Sequence, residues 1–539
     1  MVLCSWVAEW TSAQVVYPPV VVFDDDRNYF EPTIAVDVAG PQGNAHKILV
    51  AAIHTLAQQG GGAPGARIAY GISLNGGQSF VEKGFLEAPG SYQFKTTGDP
   101  SATASLVDGT MWLAYAAVLG FGSASAIILH PLPQGSSTLG SGVPIVEHPS
   151  GPLLDKPLLA AGPALNPNDP ERLYATYATF PQDCGSTFLS LYGAKLAGAT
   201  WTNELQIKEP GGGPCEYRGH APGPVVLSDG TVVVVSSDRH QGGFYRNDGR
   251  PWVVISNNEA DPDSWSVEAR IGAGAVPTIE APAATDTSPP ELADQGRHWP
   301  SIAVDRSKTP NWVYVAFTAR REVGSSNVDI YIARSTDGGE TFLNQNILHL
   351  TDEVLHGITP DANGPDQVLP AIVVDGCGVP CLIWYDTRND VTSTDETEVD
   401  VYFARIRDFA TPNPIVTVIR LSEQSFSATY QGQYGPTPLL FGHYQQIAAR
   451  GRRVYPSYVK YVWDDTLQDW RRRFFVQRIS VTCLADFNLN GEADSEDVVL
   501  FNAAYFAGDG EADLNGDGAI DAEDYVLFTA SYSGVCSEE

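Results

Sequence analysis

The sequence predicts an all-β fold, a β-propeller, followed by a small α-helical segment. Three observations predict it. A repeat of roughly 57–78 residues runs through residues 15–481. Each repeat contains short runs rich in Val, Ile, Tyr and Trp that Gly and Pro separate, with no long stretch of helical period between them. A twelve-residue acidic loop pattern then occurs twice near the C-terminus, and each copy leads into a helix-period stretch.

Each repeat opens with a short apolar strand, usually after a proline, and a second strand follows it. A sheet of three or four short strands per repeat, stacked radially, gives a propeller; seven blades are favoured and six are the alternative. The strand at Val15–Val22 is expected to pair with the last blade and close the ring. The first strands begin at Pro32, Pro100, Pro157, Pro222, Pro300, Pro370 and Tyr444.

A second signature ends some of the third strands. Ser335 to Phe342 follows the Asp-box pattern S-x-D-x-G-x-T-[W/F], Ser73 to Phe80 is a close variant, and Ser256 to Trp265 is a stretched one. In this pattern the Asp or Asn caps a tight turn through backbone N–H groups, Gly takes positive φ, and the aromatic ring packs between sheets. Asp337 is therefore expected to be structural rather than catalytic.

These repeats resemble those of the sialidase-superfamily (BNR/Asp-box) β-propellers over about 450 residues. The resemblance implies three arginines that grip a carboxylate, a Tyr nucleophile supported by Glu, and an Asp acid/base. The weak catalytic candidates are Arg239, Arg320, Arg388 and Asp386. The family's Arg-Ile-Pro motif is absent from this sequence, so whether the protein is an enzyme stays open.

Residues before the first strands and after the second strands should converge on one face of a propeller, opposite the Asp-box turns. Charged and imidazole side chains concentrate there. Local salt bridges, such as Asp386 with Arg388 and Asp238 with Arg239, are the plain explanation, and a metal held by three histidines is a further alternative. Before the first strands stand Glu31, Asp99, Lys156, His220, His298 and His443, and after the second strands stand His54, Asp238 to His240, Arg320 and Asp386 to Asp390. The ligand-face candidates are His220, Asp238, His240, His298 and His443.

The two acidic loops, 27 positions apart, match a calcium-loop pattern. Oxygen-bearing side chains stand at loop positions 1, 3, 5, 9 and 12, Gly stands at position 6, and position 7 offers its backbone carbonyl, as Ca²⁺ requires. Two bound Ca²⁺ ions are predicted. The proposed ligands are Asp486, Asn488, Asn490, Glu492, Asp494 and Asp497 in the first loop, and Asp513, Asn515, Asp517, Ala519, Asp521 and Asp524 in the second.

This tandem, in which position 12 is only an Asp, resembles a dockerin, an EF-hand-like module that docks secreted proteins onto cohesin partners or surfaces. The resemblance covers residues 483–536, within a module assigned to 483–539, and it implies a cohesin-like or cell-surface partner. Loop positions 10 and 11 contribute to the partner surface in that family. Here they are Ser495-Glu496 and Ala522-Glu523, which departs from the Ser/Thr-rich pair of the well-known type.

The cysteines favour an oxidising compartment. Apart from Cys4, six cysteines are placed so that local pairing is favoured over a zinc site. Clasping the ends of the calcium module would constrain a loop of about 50 residues and contribute about 2–4 kcal/mol. The predicted disulfides are Cys184–Cys215, Cys377–Cys381 and Cys483–Cys536.

The charge balance excludes some partners. The net charge is −32, and the segment from Cys483 to Glu539 holds 14 Asp and Glu and neither Lys nor Arg, which leaves about −18 for the rest. Nucleic acid and anionic membranes are disfavoured because phosphate binding uses clustered Lys and Arg. No apolar run approaches the roughly 18 residues that span a bilayer. Residues 1–14 are interpreted as a truncated signal segment, although they lack Lys and Arg.

Together these features predict a secreted, calcium-binding protein at the cell surface or outside the cell. Its propeller would recognise a glycan or another extracellular ligand, and its C-terminal module would anchor it. The alternative is an exo-acting, sialidase-like glycoside hydrolase on acidic sugars. Two carboxylates about 5–10 Å apart that face a cleft would favour the enzyme, whereas carboxylates neutralised by cationic neighbours would favour binding.

Overall fold

The fold is known from a computed structural model that describes most of the propeller and part of the C-terminal segment. For some strand residues it describes the backbone alone. The described residues are 15–25, 27–38, 46–56, 66–86, 96–118, 124–151, 153–165, 171–180, 188–195, 205–207, 219–238, 251–256, 265–271, 299–320, 328–350, 365–376, 378–390, 398–409, 411, 414–427, 429–432, 435–438, 441–451, 453–465, 469–481, 485, 487, 493–508, 512, 514 and 519–533.

Two short strands precede the first blade, and three blades of consecutive antiparallel strands follow. The leading strands are β1 (Val15–Val16) and β2 (Val20–Val21). Blade 1 contains β3 (Arg27–Val36), β4 (Ile48–Leu56), β5 (Arg67–Ser73) and β6 (Glu82–Leu86). Blade 2 contains β7 (Thr96–Ala104), β8 (Met111–Val118), β9 (Ser125–Leu132) and β10 (Val143–His148). Blade 3 contains β11 (Leu153–Gly162), β12 (Arg172–Phe180), β13 (Phe188–Lys195) and β14 (Leu205–Ile207).

Three further blades have the same order. Blade 4 contains β15 (Gly219–Val226), β16 (Val232–Asp238), β17 (Pro251–Ser256) and β18 (Trp265–Arg270). Blade 5 contains β19 (Ser301–Asp305), β20 (Trp312–Arg320), β21 (Val328–Ser335), a 3₁₀ turn (Asn344–Asn346) and β22 (Ile347–Leu350). Blade 6 contains β23 (Gln367–Val374), β24 (Pro380–Asp386), β25 (Glu398–Arg407), β26 (Ile415–Arg420) and β27 (Phe426–Ser427). A separate hairpin joins β28 (Thr429–Gly432) and β29 (Gly435–Pro438).

A composite sheet closes the ring by combining strands from both ends of the propeller sequence. It contains β30 (Gln446–Arg450), β31 (Arg453–Asp464), β32 (Asp469–Val476) and β33 (Ile479–Ser480), together with β1 and β2. Val20 and Val21 pair with Val476 and Phe475, so β2 covers the outer edge of β32. The predicted β-propeller and its closure by the early strand are therefore confirmed. In the part of the chain that the structure describes, six blades of consecutive strands and this seventh sheet surround one axis.

In several blades a hydroxyl residue follows the strand-opening proline and links its blade to the next one. Thr33 Oγ1 accepts a hydrogen bond from the Ala102 backbone N–H at 2.8 Å, and Ser101 Oγ accepts one from the Leu159 N–H at 3.0 Å. Ser301 Oγ accepts from the Ile372 N–H at 3.1 Å in the same way. Each hydroxyl thus satisfies a buried N–H group on the inner strand of the next blade, which ties neighbouring blades together near the axis.

Apolar side chains fill the spaces between blades. Blades 1 and 2 share one buried cluster, blades 2 and 3 a second, blades 4 and 5 a third, and blades 5 and 6 a fourth. The composite sheet packs in the same way against blade 6 and against blade 1. Because both faces of each sheet are covered, the strands are almost continuously apolar rather than alternating.

The Asp-box turns have the predicted form. Asp337 Oδ1 accepts from the Thr341 N–H at 2.9 Å, and Ser335 Oγ accepts from the Gly339 N–H at 2.8 Å. Gly338 and Gly339 have φ of 77° and 96°, and Phe342 is buried between blades 4 and 5. Asp337 is therefore a turn residue, as expected. The turn from Ser73 to Phe80 repeats these bonds, and the stretched variant lies largely outside the described residues.

The C-terminal segment forms two short helices, α1 (Ser495–Ala507) and α2 (Ala522–Ser533). Asp494 caps α1, because its Oδ1 accepts from the Glu496 N–H at 2.7 Å while the Asp494 N–H donates to Asp497 Oδ2 at 2.8 Å. Phe501 of α1 stacks on Phe528 of α2 with ring centroids 4.0 Å apart. Both helices were predicted from the pattern after each acidic loop.

The predicted disulfides receive no support. Cys381 is a buried thiol whose Sγ lies 3.9 Å from Asp375 Oδ2 and 3.8 Å from the Val379 carbonyl oxygen. Its expected partner, Cys377, lies outside the described residues, and the predicted Cys377–Cys381 bridge is not shown. The other four predicted partners, Cys184, Cys215, Cys483 and Cys536, also lie outside them.

Candidate functional site at the propeller axis

Three charged residues interrupt the inner strands of blades 1 to 3 at the same place. Glu31, Asp99 and Lys156 each precede a proline and each adopt positive φ, at 52°, 55° and 50°. A β-bulge breaks the strand register at each of these positions. A non-glycine residue in the left-handed region costs about 1–3 kcal/mol, and the position before proline normally favours extended backbone. The fold therefore maintains three strained residues at the axis.

The strained residues meet in one ionic cluster with a residue of the composite sheet. Lys156 Nζ lies 3.0 Å from Glu31 Oε1, contacts Asp99 Oδ1, and lies 2.9 Å from His443 Nδ1. His443 Nδ1 is 2.8 Å from Glu31 Oε1, which also accepts from the His443 backbone N–H at 3.1 Å. We call Glu31, Asp99, Lys156 and His443 the axial cluster.

Burial sets the charge states in the axial cluster. Burial alone would raise the pKa of Glu31, but Lys156 and His443 outweigh it and hold the pKa well below its usual range. Burial raises the pKa of Asp99 well above its usual range, and the Asp155 and Glu31 carboxyls add to this effect against the attraction of Lys156. One ammonium group cannot compensate three neighbouring carboxyls. Asp99, which is hydrogen-bonded to Asp155, is therefore the carboxyl that retains its proton most readily.

A glycine positions the imidazole of the cluster. Gly442 has φ of 97°, and a Cβ there would lie 2.2 Å from Glu31 Cγ, so only glycine allows His443 to approach Glu31. The His443 side chain is 42% exposed, whereas that of Glu31 is 3% exposed. The cluster thus carries one ring to the solvent side while its carboxylate stays inside.

Two aromatic side chains complete the mouth around His443. The Trp299 ring centroid lies 5.1 Å from that of His443, and Lys156 Nζ lies 5.3 Å from the Trp299 centroid and 5.5 Å from that of Tyr444. The Tyr444 hydroxyl donates to the Pro100 carbonyl oxygen at 3.0 Å. We call His443, Trp299 and Tyr444 the axial mouth.

A cavity of about 230 Å³ lies along the axis next to these residues. Trp299 and Tyr444 line it together with Ser101, Ser301 and Gln445. Two buried oxygens in this region, Glu31 Oε2 and Gln445 Oε1, have no hydrogen-bond partner among the described residues. Such acceptors favour a guest that donates hydrogen bonds, whether water or a hydroxylated ligand.

A second polar group on this face confirms the plain interpretation of Asp386 and Arg388. Arg388 Nη2 lies 2.7 Å from the buried Asp386 Oδ2, and its guanidinium stacks over the Tyr402 ring at 3.6 Å. Asp400 is likewise buried and accepts from Arg420 Nη2 at 2.8 Å. Arg388 is therefore committed to a local network, and the structure does not place it in the axial cluster.

The remaining sequence candidates are only partly described. His443 lies in the axial cluster, and its role at the ligand face stays a prediction. For His220, Asp238 and Arg320 the structure describes the backbone alone, and Arg239, His240 and His298 lie outside the described residues. Glu31, Asp99 and Lys156 were noted before their strands but not selected as candidates. The missed signal was a charged residue before proline in successive repeats.

The described calcium-loop residues include two buried carboxylates in a segment without basic side chains. Asp497 and Asp524 are 0% and 1% exposed, and no Lys or Arg occurs between Cys483 and Glu539. Asp524 accepts from the Leu514 N–H at 2.7 Å and from the Asp521 N–H at 3.0 Å, which directs its carboxylate into the second loop. Among the described residues there is no group of three or more metal-ligating side chains, and loop positions 1, 3 and 5 fall outside them. No described helix is long and apolar enough to cross a membrane.

No family model and no curated protein matches this chain. Among solved structures, a protein of unknown function from Dyadobacter fermentans is 12% identical, with a TM-score of 0.43, over 87% of this chain and 99% of that chain. An α-L-arabinanase of Penicillium chrysogenum is 13% identical, with a TM-score of 0.40, over 77% and 98% of the two chains. The Hadza microbial sialidase Hz136 is 13% identical, with a TM-score of 0.40, over 70% and 63%. Similarities this low carry no assignment of function.

Proposed function

We propose that the protein binds a glycan at the axial mouth. The observation that carries this proposal is the axial cluster, which fixes a half-exposed imidazole beside Trp299 and Tyr444, two aromatic residues that line the axial cavity. Aromatic faces pack against the C–H surfaces of sugar rings, and a few well-placed polar groups bond their hydroxyls. The rigid cluster beneath His443 would hold this arrangement ready before the ligand arrives.

Binding is favoured over hydrolysis because a cation is paired with each of the carboxylates Glu31, Asp386 and Asp400. Lys156 lies between Glu31 and Asp99, and Arg388 and Arg420 pair with Asp386 and Asp400 in the same way. A retaining or inverting glycosidase needs two carboxyl groups that face the substrate across a cleft. Glu31 is too deeply buried to serve as one of them.

Affinity electrophoresis in gels that contain neutral or acidic polysaccharides tests this proposal. The wild-type protein should be retarded by at least one polysaccharide, and His443→Ala should lose that retardation. His148→Ala, which removes an imidazole from the outer strand of blade 2, is the matched control. Equal migration of the wild-type protein in all gels, or full retention by the His443→Ala variant, would refute glycan binding at the mouth.

Hydrolysis of an acidic sugar by a sialidase-like, exo-acting mechanism is the second candidate. The observation that favours it is the raised pKa of Asp99, which hydrogen-bonds to the half-buried Asp155. A carboxyl that keeps its proton near neutral pH can act as a general acid. Release of reducing ends that disappears in Asp99→Asn would support this activity, and its absence from all substrates would exclude it.

We further propose that the C-terminal helices belong to a dockerin-like, EF-hand-like module that binds two Ca²⁺ ions. Buried Asp497 and Asp524 support this, because they stand at position 12 of the two acidic loops, where a carboxylate binds Ca²⁺. Asp494, Asp497, Asp521 and Asp524 are the described residues that would hold the ions. The cation would supply the positive charge that the segment lacks.

Anchoring of a secreted protein is the role proposed for this module. Its helices expose apolar side chains, with Phe506 80%, Val499 66% and Val526 63% exposed. Surfaces of this kind mark docking sites, and we propose a cohesin-like or cell-surface partner in an extracellular setting. Purified cohesin domains should bind the wild-type protein and not Phe506→Asp, and binding that survives this change would move the docking surface elsewhere.

A further inference from the structure

One β-hairpin of the composite sheet, formed by β31 and β32, ends on the ligand face. β31 has 12 residues, and its last eight pair with β32, from Ser457 with Val476 to Asp464 with Asp469. Its first two residues pair instead with β33. The Asp464–Asp469 pair therefore lies at the tip of the hairpin.

The tip of this hairpin presents two tryptophans to solvent. Trp463 and Trp470 are directly paired across the strands and are 43% and 39% exposed. Their ring centroids lie 5.6 Å apart at an interplanar angle of 74°, so the indoles form a nearly right-angled corner. Trp463 Nε1 donates to Asp465 Oδ1 at 3.0 Å, which fixes one wall of this corner. We call this pair the Trp corner.

The base of the hairpin is tied to the strand that leads to the axial cluster. The Arg473 guanidinium donates to the Asp25 backbone carbonyl oxygen, and the Arg472 N–H donates to Asn28 Oδ1 at 3.0 Å. The Arg472 guanidinium also lies 4.9 Å from the centre of the Phe30 ring, and Phe30 directly precedes Glu31. The Trp corner is therefore held in place on the side of the ring that carries the axial mouth.

The surroundings of the Trp corner select a class of ligand. Asp465 flanks it, Asp464 pairs with Arg473 Nη2 at 3.2 Å, and the Asp24 side chain, 88% exposed, lies 3.7 Å from the same nitrogen. Carboxylates accept hydrogen bonds from hydroxyl groups and repel phosphates, while an indole face packs on the C–H surface of a sugar ring. A neutral sugar satisfies both requirements, whereas an anionic lipid surface does not.

We infer that the Trp corner is a second glycan subsite, which holds a neutral sugar unit of a chain whose other end occupies the axial mouth. This inference rests on the proposed glycan binding. It predicts that affinity depends on chain length: short oligosaccharides use the mouth alone, and longer ones also engage the hairpin. A cross-strand Trp pair also stabilises a hairpin, so the test must separate the two roles.

The first experiment uses gels containing xylan, glucomannan or pectin and compares Trp463→Val/Trp470→Val with His443→Ala. Valine keeps the strand preference of both positions. The double Val variant should bind a retarding polysaccharide about tenfold more weakly while its binding of the matching disaccharide is unchanged, as expected for the loss of aromatic anchors. His443→Ala should lose binding of both the polysaccharide and the disaccharide.

The second experiment needs no variant. N-bromosuccinimide oxidises exposed indoles, and mass spectrometry maps the modified residues with and without the same polysaccharide. Trp463 and Trp470 should be modified in the unbound protein and protected in the complex. Full modification in the complex, or a double Val variant that binds like the wild type while His443→Ala does not, overturns the inference and leaves the proposed function intact. A wild-type protein that no polysaccharide retards overturns both.

Discussion

The Tyr17 hydroxyl donates a buried hydrogen bond of 3.0 Å to the Leu514 backbone carbonyl, 497 positions away in the sequence. Tyr17 follows β1 directly, and the Arg478 guanidinium lies 3.7 Å from the centre of its ring. Leu514 is position 2 of the second acidic loop, and its N–H donates to Asp524. The ring closure and the C-terminal segment thus meet at one residue pair.

Removing only the Tyr17 hydroxyl should weaken this junction. Tyr17→Phe leaves the Leu514 carbonyl without its buried donor, at a cost of about 1–2 kcal/mol. Urea unfolding would measure the loss. Tyr532→Phe, which removes an equally polar but exposed hydroxyl of α2, is the control and should be neutral. Equal stability of the two variants would show that the bond contributes nothing.

Calcium should bind through the buried aspartates of the acidic loops. Asp524→Asn removes a charge that would contact the ion, so its calcium affinity should fall at least about tenfold in a calorimetric titration. Glu340→Gln, on the exposed Asp-box face, should titrate like the wild type. Because Asp524 also holds the Leu514 N–H, chelation should lower the thermal stability of the wild type more than that of Tyr17→Phe. Identical calcium titrations for the wild type, Asp524→Asn and Glu340→Gln would contradict calcium binding through Asp524.

The axial cluster should respond unequally to loss of its two carboxylates. Glu31→Gln leaves Lys156 undercompensated and should cost about 3 kcal/mol at pH 7. Asp99→Asn resembles the protonated carboxyl that burial favours and should cost about 1 kcal/mol. The pKa of Glu31 is lowered in the folded protein, so its contribution is present above pH 4.5 and is lost as the pH falls below that value. Denaturant unfolding at several pH values checks both expectations. A larger cost for Asp99→Asn would reverse this assignment.

His54 should make the fold sensitive to mild acid. Burial, with a smaller contribution from Arg27, lowers its pKa from 6.5 to about 4, and neither ring nitrogen has a partner among the described residues. Because the folded state disfavours the proton, stability is full above pH 6.5 and falls as the pH drops toward 4, by roughly 2–3 kcal/mol. His54→Gln should lose less stability than the wild type between pH 7.5 and 4.5, and His148→Gln should match the wild type. Parallel pH profiles for the wild type and His54→Gln would exclude this role.

Asp337 should affect stability alone. Its carboxylate accepts from Ser335 Oγ and from the Thr341 N–H and hydroxyl, and these bonds lower its pKa despite partial burial. Asp337→Ala should therefore cost about 1–2 kcal/mol and leave glycan binding unchanged, because the turn lies on the face opposite the mouth. A variant that is stable but fails to bind would make Asp337 part of the binding site.

Local patterns in the sequence were sufficient for the strands, the Asp-box turns, the two helices and the closure by the early strand. The first three follow from residues close together in the chain, such as apolar runs or the Gly338-Gly339 turn, and the closure follows from the need of a propeller to cover its open edge. The axial cluster could not be derived in this way. The preference of a residue before proline is for extended backbone, yet packing holds Glu31, Asp99 and Lys156 in the left-handed region.

Long-range placement explains the other omissions. Lys156 reaches Glu31 across 125 positions, and His443 reaches it across 412, so no local spacing reveals their contact. Trp463 and Trp470 lie seven positions apart, and only the register of β31 with β32 makes them a cross-strand pair. The pairing proposed for Cys381 relied on proximity in sequence alone, and the structure gives it as a thiol.

The strand order of the composite sheet has a consequence for biosynthesis. The residues of β2 leave the ribosome long before their partners in β32, which follow more than 450 residues later. At typical synthesis rates of about 5–20 residues per second, the early strand waits for tens of seconds with an unpaired edge. The nascent chain must keep that edge from self-association until the last blade arrives, so a chaperone that shields β2 would be expected to raise the yield of native protein.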